Sequence, residues 1–384
     1  MTTISQRSMP PVSRWLLAAL GVLALAVMGG CAQAPTETKP AAVVTLYPPA
    51  PDAPRVQHLA TFASPRDLSA ARSGLADFVL GNEGAADALK RPYGAVLSEG
   101  KIYVADSRIP GVAMFDLVAQ KMSINEGSGG GKLQRPINVA IDAEGNKYVT
   151  DTGRNQVVVF DRGDRFVATF GEKGTFKPVG VAVIGQRLYV VDVEHNEVHV
   201  LDKRSGKPLF KFGKTGSVEE GALYQPTNIA VGPDGDLYVV ETGNFRVSVF
   251  TPEGKFVRRF GESGQAPGQF ARPKGIAIDR AGRIYVSDAA FQNVQIFDKN
   301  GRVLMVFGQP PGGLQGLNLP AGVSIDYDNV ALFQRYAAPG FKLEYVVLVV
   351  SQFGPDQVDA FGFGKMSGVE YPPDGEPAAK AGKP

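Results

Sequence analysis

The sequence predicts an all-β fold, a six-bladed β-propeller, and three observations support this prediction. A proline preceded by a basic or amide residue recurs five times, at Pro92, Pro136, Pro178, Pro226 and Pro273. Successive prolines lie 42 to 48 residues apart, which matches the ~40–50 residues of a four-stranded propeller blade. Short runs of alternating apolar and polar residues fill each repeat, and no long stretch has helical periodicity.

The repeat that begins at Pro273 shows how one blade is built. Its inner strand is predicted at Gly275–Asp279, its second at Ile284–Ser287, its third at Val294–Phe297 and its outer strand at Arg302–Phe307. Turns that contain glycine separate these strands, because tight hairpins require a residue with positive φ. Each repeat therefore encodes one four-stranded antiparallel sheet.

The sixth repeat begins at Pro320 and is incomplete. Its second and third strands are predicted at Leu348–Ser351 and Val358–Phe361, and about 17 additional residues lie around 327–343. No outer strand follows, but Val56–Phe62 resembles the outer strands of the other repeats. We therefore expect the N-terminal segment to complete the last blade, which would close the ring and leave no exposed sheet edge.

The order of these motifs resembles the NHL-repeat family of six-bladed propellers. The shared elements are Pro-x-Gly/Asn, Tyr-Val, Asp-Thr-Gly-Asn and Val-x-Val-Phe, and residues 151–155 and 241–246 come closest to the family pattern. The resemblance covers residues 56–364. It implies the fold but not the function, because the same fold serves scaffolds, receptors and enzymes. Gln352 departs from the pattern, since the other repeats have an acidic residue there.

The N-terminus resembles a bacterial lipoprotein signal. Arg7 and Arg14 precede an apolar stretch, residues 15–27, which is short for a transmembrane helix. Met-Gly-Gly follows and ends at Cys31, and the resemblance to a lipobox implies cleavage before this cysteine and its acylation. We expect residues 1–30 to be a signal peptide and the mature protein to be held at a membrane by its lipid. The alternative is an ordinary signal peptide with an incidental cysteine.

The predicted domain organisation has three further segments. Residues 31–55 contain the acylated cysteine and a proline-rich tether, which should be extended and semi-rigid. Residues 56–364 form the propeller, predicted to be monomeric, and residues 365–384 form a disordered tail. The residue after the cysteine is Ala32 rather than aspartate, which implies the outer membrane of the bacterial envelope by resemblance to the sorting rule.

The charge balance argues against nucleic acid as a partner. The chain has 40 basic and 38 acidic residues, and removal of residues 1–30 leaves 38 of each. A nucleic-acid-binding surface requires an excess of basic residues. Cys31 is the only cysteine, so its acylation excludes disulfide and thiolate chemistry. We predict no cofactor and no bound metal.

Catalytic motifs are weak in this sequence. The three histidines are His58, His195 and His199, and the turn-to-strand context of the last two predicts that they do not share a face. A zinc site needs three or more protein ligands. Asn138 and Asn228 open two inner strands and are candidate oxygen donors in the axial channel. No acidic residue accompanies them, whereas Ca²⁺ takes 6–8 oxygens.

One acidic residue follows the second strand of each complete repeat, and a ring of catalytic carboxylates is one interpretation of this set. Because this residue type recurs in every complete repeat, we expect it to accept backbone N–H hydrogen bonds within its own turn. The members of this set are Asp106, Asp151, Asp192, Glu241 and Asp288.

The loops after the second strands differ between repeats and should lie on one face of the disc. Arginine and aromatic side chains in such loops are typical of protein-binding surfaces, although a solvated rim is the alternative. The insertion in the sixth repeat adds two more candidates, on the same or the opposite face. The predicted binding face comprises Arg108, Arg154, His195, Arg246, Phe291, Arg335 and Tyr336.

These observations favour a non-catalytic scaffold or accessory subunit that docks an envelope protein or complex. Two alternatives remain at this point. One is a propeller enzyme of the lactonase or lyase type that uses the axial channel, and the other is a receptor for a small ligand.

Overall fold

A computed structural model describes residues 44–68, 88–171, 174, 176–309, 316–355 and 357–371. These residues form six antiparallel sheets. Each inner strand contacts the inner strand of the next sheet, and the sixth contacts the first. The sheets are therefore the blades of a closed six-bladed β-propeller, which confirms the predicted fold. The predicted signal peptide and Cys31 lie outside the described residues.

Blades one to five each contain four strands that run in chain order between the inner and the outer edge. Two strands precede them in the chain, β1 (Leu46–Tyr47) and β2 (Val56–Phe62). The strands of blades one to three are β3 (Pro92–Ser98), β4 (Lys101–Asp106), β5 (Val112–Asp116), β6 (Lys121–Asn125), β7 (Pro136–Ile141), β8 (Lys147–Asp151), β9 (Gln156–Phe160), β10 (Phe166–Phe170), β11 (Pro178–Ile184), β12 (Arg187–Asp192), β13 (Glu197–Asp202) and β14 (Pro208–Phe212).

Blades four and five repeat this arrangement, and blade six has longer strands. The strands of blades four and five are β15 (Pro226–Val231), β16 (Leu237–Glu241), β17 (Arg246–Phe250), β18 (Phe256–Phe260), β19 (Pro273–Ile278), β20 (Ile284–Asp288), β21 (Asn293–Phe297) and β22 (Val303–Phe307). Blade six contains β23 (Pro320–Asp326), β24 (Phe341–Ser351) and β25 (Val358–Met366). Short helices are α1 (Val330–Phe333) and the 3-10 turns Pro65–Leu68, Gly129–Gly131 and Gln334–Tyr336.

Apolar packing between neighbouring blades forms the core. The tyrosines on the second strands, including Tyr148, Tyr189 and Tyr285, are buried between blades. Hydroxyl groups on, or directly after, second strands add hydrogen bonds to the inner strand of the next blade. These bonds run from Thr150 to the Val179 carbonyl (3.1 Å), from Thr242 to the Pro273 carbonyl (2.5 Å) and from Ser287 to the Ala321 carbonyl (2.7 Å).

The N-terminal strand closes the ring, as the sequence predicts. β2 pairs antiparallel with β25, from Val56 opposite Phe363 to Phe62 opposite Val358. Phe62 is buried, and its ring lies 6.0 Å from that of Phe115 in blade one. The closing strand therefore both completes blade six and packs against blade one.

The predicted boundaries of the tether and the tail are wrong in part. Within the predicted tether, β1 pairs with the start of β2, and Tyr47 is buried against Phe307 and Phe361. The burial of the Tyr47 ring therefore makes this segment part of the folded domain, although its proline content predicted an extended tether. In the predicted tail, β25 ends at Met366, and the Tyr371 hydroxyl donates to the Pro54 carbonyl (2.9 Å). Residues 372–384 lie outside the described residues.

The insertion in blade six is folded onto the closing strand. α1 and the following 3-10 turn connect β23 to β24. The Gln57 side chain donates to the Tyr336 carbonyl (3.1 Å) and accepts from the Ala338 amide (2.9 Å). β24 and β25 extend beyond the predicted strands because the insertion leads directly into a longer hairpin. No helix in the described part of the chain is long and apolar enough to cross a membrane.

Phe62 tests the closure of the ring. Phe62→Ala removes an aromatic ring buried between blades six and one, so we expect a loss of about 3–5 kcal/mol in the free energy of unfolding. The control is Val167→Ala on the outer strand of blade two, where the side chain is exposed and the expected change is within about 0.5 kcal/mol. Urea titration followed by circular dichroism measures both. Equal stability of the two variants would contradict the closure.

Candidate functional site

The inner strands all begin on one side of the disc, which we call the entry face, defined by Pro92, Pro136, Pro178, Pro226, Pro273 and Pro320. Each of the first five prolines lies opposite the acidic residue that ends the second strand, as in the pair Pro178 and Asp192. The loops after the second strands consequently lie on the entry face, as predicted. The turns between first and second strands lie on the opposite face.

The recurrent acidic residues cap these loops. Asp151 accepts hydrogen bonds from the amides of Gln134 (2.7 Å), Arg135 (2.9 Å) and Gly153 (2.9 Å). Asp106 and Asp288 make equivalent contacts in blades one and five. Their carboxylates are fully buried, so they hold the loops in place, which confirms the structural role expected from the sequence.

Arg246 does not belong to the binding face, and its prediction is wrong. Only 7% of its surface is exposed. Its guanidinium donates to the Glu241 carboxylate (2.8 Å) and to the carbonyls of Ser217 (2.7 Å) and Ala222 (2.8 Å). Glutamate replaces aspartate as the loop cap of this blade, and its carboxylate bonds directly to the arginine. The pair is a buried structural element.

The other predicted contact residues separate into three groups. Arg108 is exposed and Phe291 is half-buried in entry-face loops. Arg154 lies on the same face, but its guanidinium donates to the carbonyls of Lys132 and Gly130 and is held against its own blade. Arg335 and Tyr336 lie in the insertion between β23 and β24. That connection is on the opposite face, which decides between the two positions left open for the insertion, so these two residues do not adjoin the entry-face loops.

His195 and His199 do not share a strand face, yet both contact one carboxylate. His195 Nδ1 lies 2.6 Å and His199 Nε2 lies 3.3 Å from the same oxygen, Asp192 Oδ2. They converge because both flank the Asp192 carboxylate rather than because they share a strand face. Burial favours a higher pKa for Asp192, but interactions with His199 and His195 outweigh it and hold the pKa well below its usual range. The contact with Asp192 raises the pKa of His195.

Asn138 and Asn228, the candidate oxygen donors of the axial channel, are engaged with each other across the ring. The Asn138 amide donates to Asn228 Oδ1 (3.2 Å), and each side-chain oxygen accepts the next backbone N–H (2.8 Å). The inner strands approach closely here. A Cβ at Gly94 would lie 2.4 Å from Asn138 Oδ1, and glycine permits this approach. These amides therefore stabilise the ring.

Basic residues stand where several inner strands begin on the entry face. Four of the six residues that precede the inner-strand prolines are basic, and Lys274 follows the fifth proline. In the described part of the chain, none of these side chains has a carboxylate oxygen within 4.0 Å. We call this cluster the basic mouth, formed by Arg91, Arg135, Lys177, Arg272 and Lys274.

The electrostatics of Lys274 show that three members of the basic mouth, Arg91, Arg272 and Lys274, lie close enough to interact. Burial is the largest cause that lowers its pKa to about 8, and the charges of Arg272 and Arg91 contribute in the same direction. Burial raises the pKa of Tyr93 to about 12, against the effect of the same two arginines. Arg91 and Tyr93 belong to blade one and Lys274 to blade five. Blade six lies between them, so these groups interact across the axial opening.

An exposed aromatic ring lies beside the basic mouth. Phe353, in the loop after β24, is 44% exposed. The Arg91 guanidinium lies 5.2 Å from the centre of its ring, within the range of a cation–π contact. Sequence reasoning missed this site because it treated the residues before each proline only as repeat markers. Their common basic character was the available signal.

The comparisons with known proteins agree with this architecture. Residues 219–303 match the family DUF5128, described as a 6-bladed beta-propeller. The chain is 32% identical over 138 residues to Protein brain tumor from Drosophila melanogaster. The chain is a six-bladed β-propeller with homology to NHL-repeat proteins. It is also 34% identical over 112 residues to peptidyl-glycine alpha-amidating monooxygenase from Mus musculus.

These matches cover only part of each protein. They span 34% and 26% of this chain but 13% and 11% of the two relatives. Among solved structures, a gluconolactonase from Xanthomonas campestris superimposes with a TM-score of 0.53 at 14% identity, over 85% of this chain and 99% of that chain. At this identity the similarity shows the fold alone.

Lys274 tests the electrostatics of the basic mouth. Its folded pKa of about 8 lies below the usual 10.5, so the buried charge destabilises the fold below pH 8. This destabilisation decreases as pH rises from 8 to 10.5, because in this range the folded protein loses the Lys274 proton while the unfolded protein keeps it. Lys274→Met should therefore be more stable than wild type by about 1–3 kcal/mol at pH 7, with a smaller difference at pH 9.5.

The matched control is Lys255→Met, at an exposed position in a turn on the opposite face. Its stability relative to wild type should not change between pH 7 and pH 9.5. Chemical unfolding of the three proteins at both pH values measures these differences. A pH-independent effect of Lys274→Met would show that neither burial nor the neighbouring cations lower the pKa of this lysine.

Proposed function

We propose that this propeller is a non-catalytic binding module whose basic mouth receives an anionic segment of a partner protein. The observation that carries this proposal is the convergence of unneutralised cations at the axis. An anion bound there would pair with Lys274 and relieve the repulsion among Lys274, Arg272 and Arg91. Binding energy therefore comes from interactions that the isolated propeller lacks.

The polar groups nearest the axis support binding rather than chemistry. Ser287 accepts a hydrogen bond from the Gly275 amide (2.9 Å) and donates to the Ala321 carbonyl. The Thr227 hydroxyl donates to the Lys274 carbonyl (2.9 Å). These groups are occupied in holding blades together. The gluconolactonase similarity concerns the fold alone, so it extends no activity to this chain.

The chemistry of the basic mouth indicates the kind of segment that fits. Guanidinium groups such as those of Arg91 and Arg272 bind carboxylates in a bidentate manner. Phe353 offers an exposed apolar surface next to Arg91. We therefore propose a segment with several aspartate or glutamate residues and an adjacent apolar or aromatic residue. Its affinity should fall as salt increases, because the basic mouth is open to solvent.

The setting proposed for this interaction is the bacterial cell envelope. Cleavage before Cys31 and acylation of its thiol would anchor a monomeric propeller, most simply at the outer membrane. The partner would then be an envelope protein or a complex of which the propeller is an accessory subunit. The balanced charge of the mature chain supports a protein partner rather than nucleic acid.

The basic mouth is tested by capturing partners from the native organism after mild crosslinking. A variant with Arg91→Gln, Arg272→Gln and Lys274→Gln should lose the captured envelope protein while keeping its fold. The control carries Lys121→Gln, Lys207→Gln and Lys255→Gln, three exposed cations remote from the entry face. The control should capture the partner at the wild-type level. Undiminished capture by the first variant would refute the role of the basic mouth.

The anchor is tested separately by Cys31→Ser. The variant should leave the membrane fraction, because the acylated thiol is the proposed attachment, and the soluble domain should unfold at the wild-type temperature. Fractionation followed by a thermal melt measures both properties. Retention in the membrane fraction after a carbonate wash would show that the lipoprotein interpretation is wrong.

A further inference from the structure

We propose that blade three contains a binding site for a divalent transition-metal ion, separate from the basic mouth. Its ligands would be Asp192, His195, Glu197 and His199. Asp192 ends β12, and Glu197 begins β13 directly opposite it in the antiparallel register. His199 is two residues farther along β13 and therefore faces the same side as Glu197. His195 lies in the turn that joins the two strands.

The distances between these side chains suit a shared ion. His199 Nε2 lies 3.3 Å from Asp192 Oδ2 and 3.2 Å from Glu197 Oε1. The ligand atoms of Asp192, His195 and Glu197 all lie within 4.8 Å of one another. Ligands about 2.0–2.2 Å from a tetrahedral metal are roughly 3.3–3.6 Å apart. His199, Asp192 and Glu197 are therefore close to the spacing that a shared ion requires, whereas His195 must move away from Asp192 to join them.

His199 provides an independent indication. Its Nε2 is buried and has no hydrogen-bond partner in the described structure, although it lies next to two carboxylates. Buried polar atoms are rarely left unsatisfied. The ring is held in place by Phe176, whose centroid is 5.1 Å away. A metal ion between His199 and the carboxylates would use the nitrogen lone pair and the negative charges together.

The site is a departure from the repeat. In blades one, two and five, the second oxygen of the loop-capping aspartate accepts a backbone N–H, as Asp151 Oδ2 does from Gln134 (2.7 Å). In blade three, Asp192 Oδ2 lies against two histidines instead. The positions in blades one, two, four and five that correspond to His199 are Ala113, Val158, Ser248 and Gln295.

The chemistry of the four proposed ligands indicates which metal ions this site would bind. Two imidazoles and two carboxylates are typical of zinc and related first-row ions, whereas Ca²⁺ and Mg²⁺ prefer oxygen ligands alone. Two carboxylates also balance the charge of a divalent ion. The close contact between His195 and Asp192 must open for His195 to coordinate, and its half-exposed position in the turn permits this. Lys211, 2.9 Å from Glu197 Oε1, competes with the ion for that carboxylate.

The test is isothermal titration of the full-length, metal-depleted protein with Zn²⁺, using an affinity tag that binds no metal. We expect one Zn²⁺ per chain. His199→Gln and His195→Gln should each weaken binding more than tenfold. Lys211→Met should strengthen it, because it removes the competing cation. His58→Gln, in the closing strand, is the control and should bind as wild type does.

Substitution with Co²⁺ gives a readout that does not depend on heat. A tetrahedral site of nitrogen and oxygen ligands should produce visible absorption that saturates at one equivalent and is lost in His199→Gln. Circular dichroism should show that every variant remains folded. Unchanged Zn²⁺ affinity in His199→Gln, substoichiometric binding by wild type, or equal affinity for Ca²⁺ would each overturn the assignment.

Discussion

The pairing of β2 with β25 is the constraint on which the rest of the structure depends. A propeller closes only when its last blade is complete, and here the outer part of that blade comes from the other end of the described chain. Closure places the inner strand of blade six between those of blades five and one. It thereby brings Arg91 and Lys274 to the same axial opening. Ring closure and the basic mouth are therefore two consequences of one pairing.

The repeat and its departures have different roles in this protein. Residues that recur in blades one to five, such as the loop-capping acidic residues and the second-strand tyrosines, hold loops and pack neighbouring sheets. Residues peculiar to one blade create local chemistry. Lys274 adds a charge where the inner strand of blade five begins. In blade three, two histidines contact the loop-capping carboxylate of Asp192, which forms the proposed metal site. The same fold serves many activities in different proteins, so we expect the function to depend on the residues that differ from the repeat pattern.

Sequence alone predicted the blade number, the strand order and the closing strand, because proline spacing and strand periodicity are local signals. It did not predict the burial of Arg246, which depends on the carbonyls of Ser217 and Ala222 in a distant loop. It did not predict the basic mouth, because 183 residues separate Arg91 from Lys274 and only ring closure brings them together. The histidine cluster was missed because its common point is the side chain of Asp192 rather than a strand face.

The most direct test of this account is an NMR titration of the Lys274 amine in protein labelled with ¹³C at the lysine ε-carbon, with Lys274→Arg to assign the signal. The account predicts a pKa near 8, because the amine is partly buried near Arg91 and Arg272 and no carboxylate oxygen of the described residues lies within 4.0 Å of it. A pKa near the usual 10.5 would mean that the amine is solvated or paired. The cations would then not converge at the axis, and the proposed binding site would lose its basis.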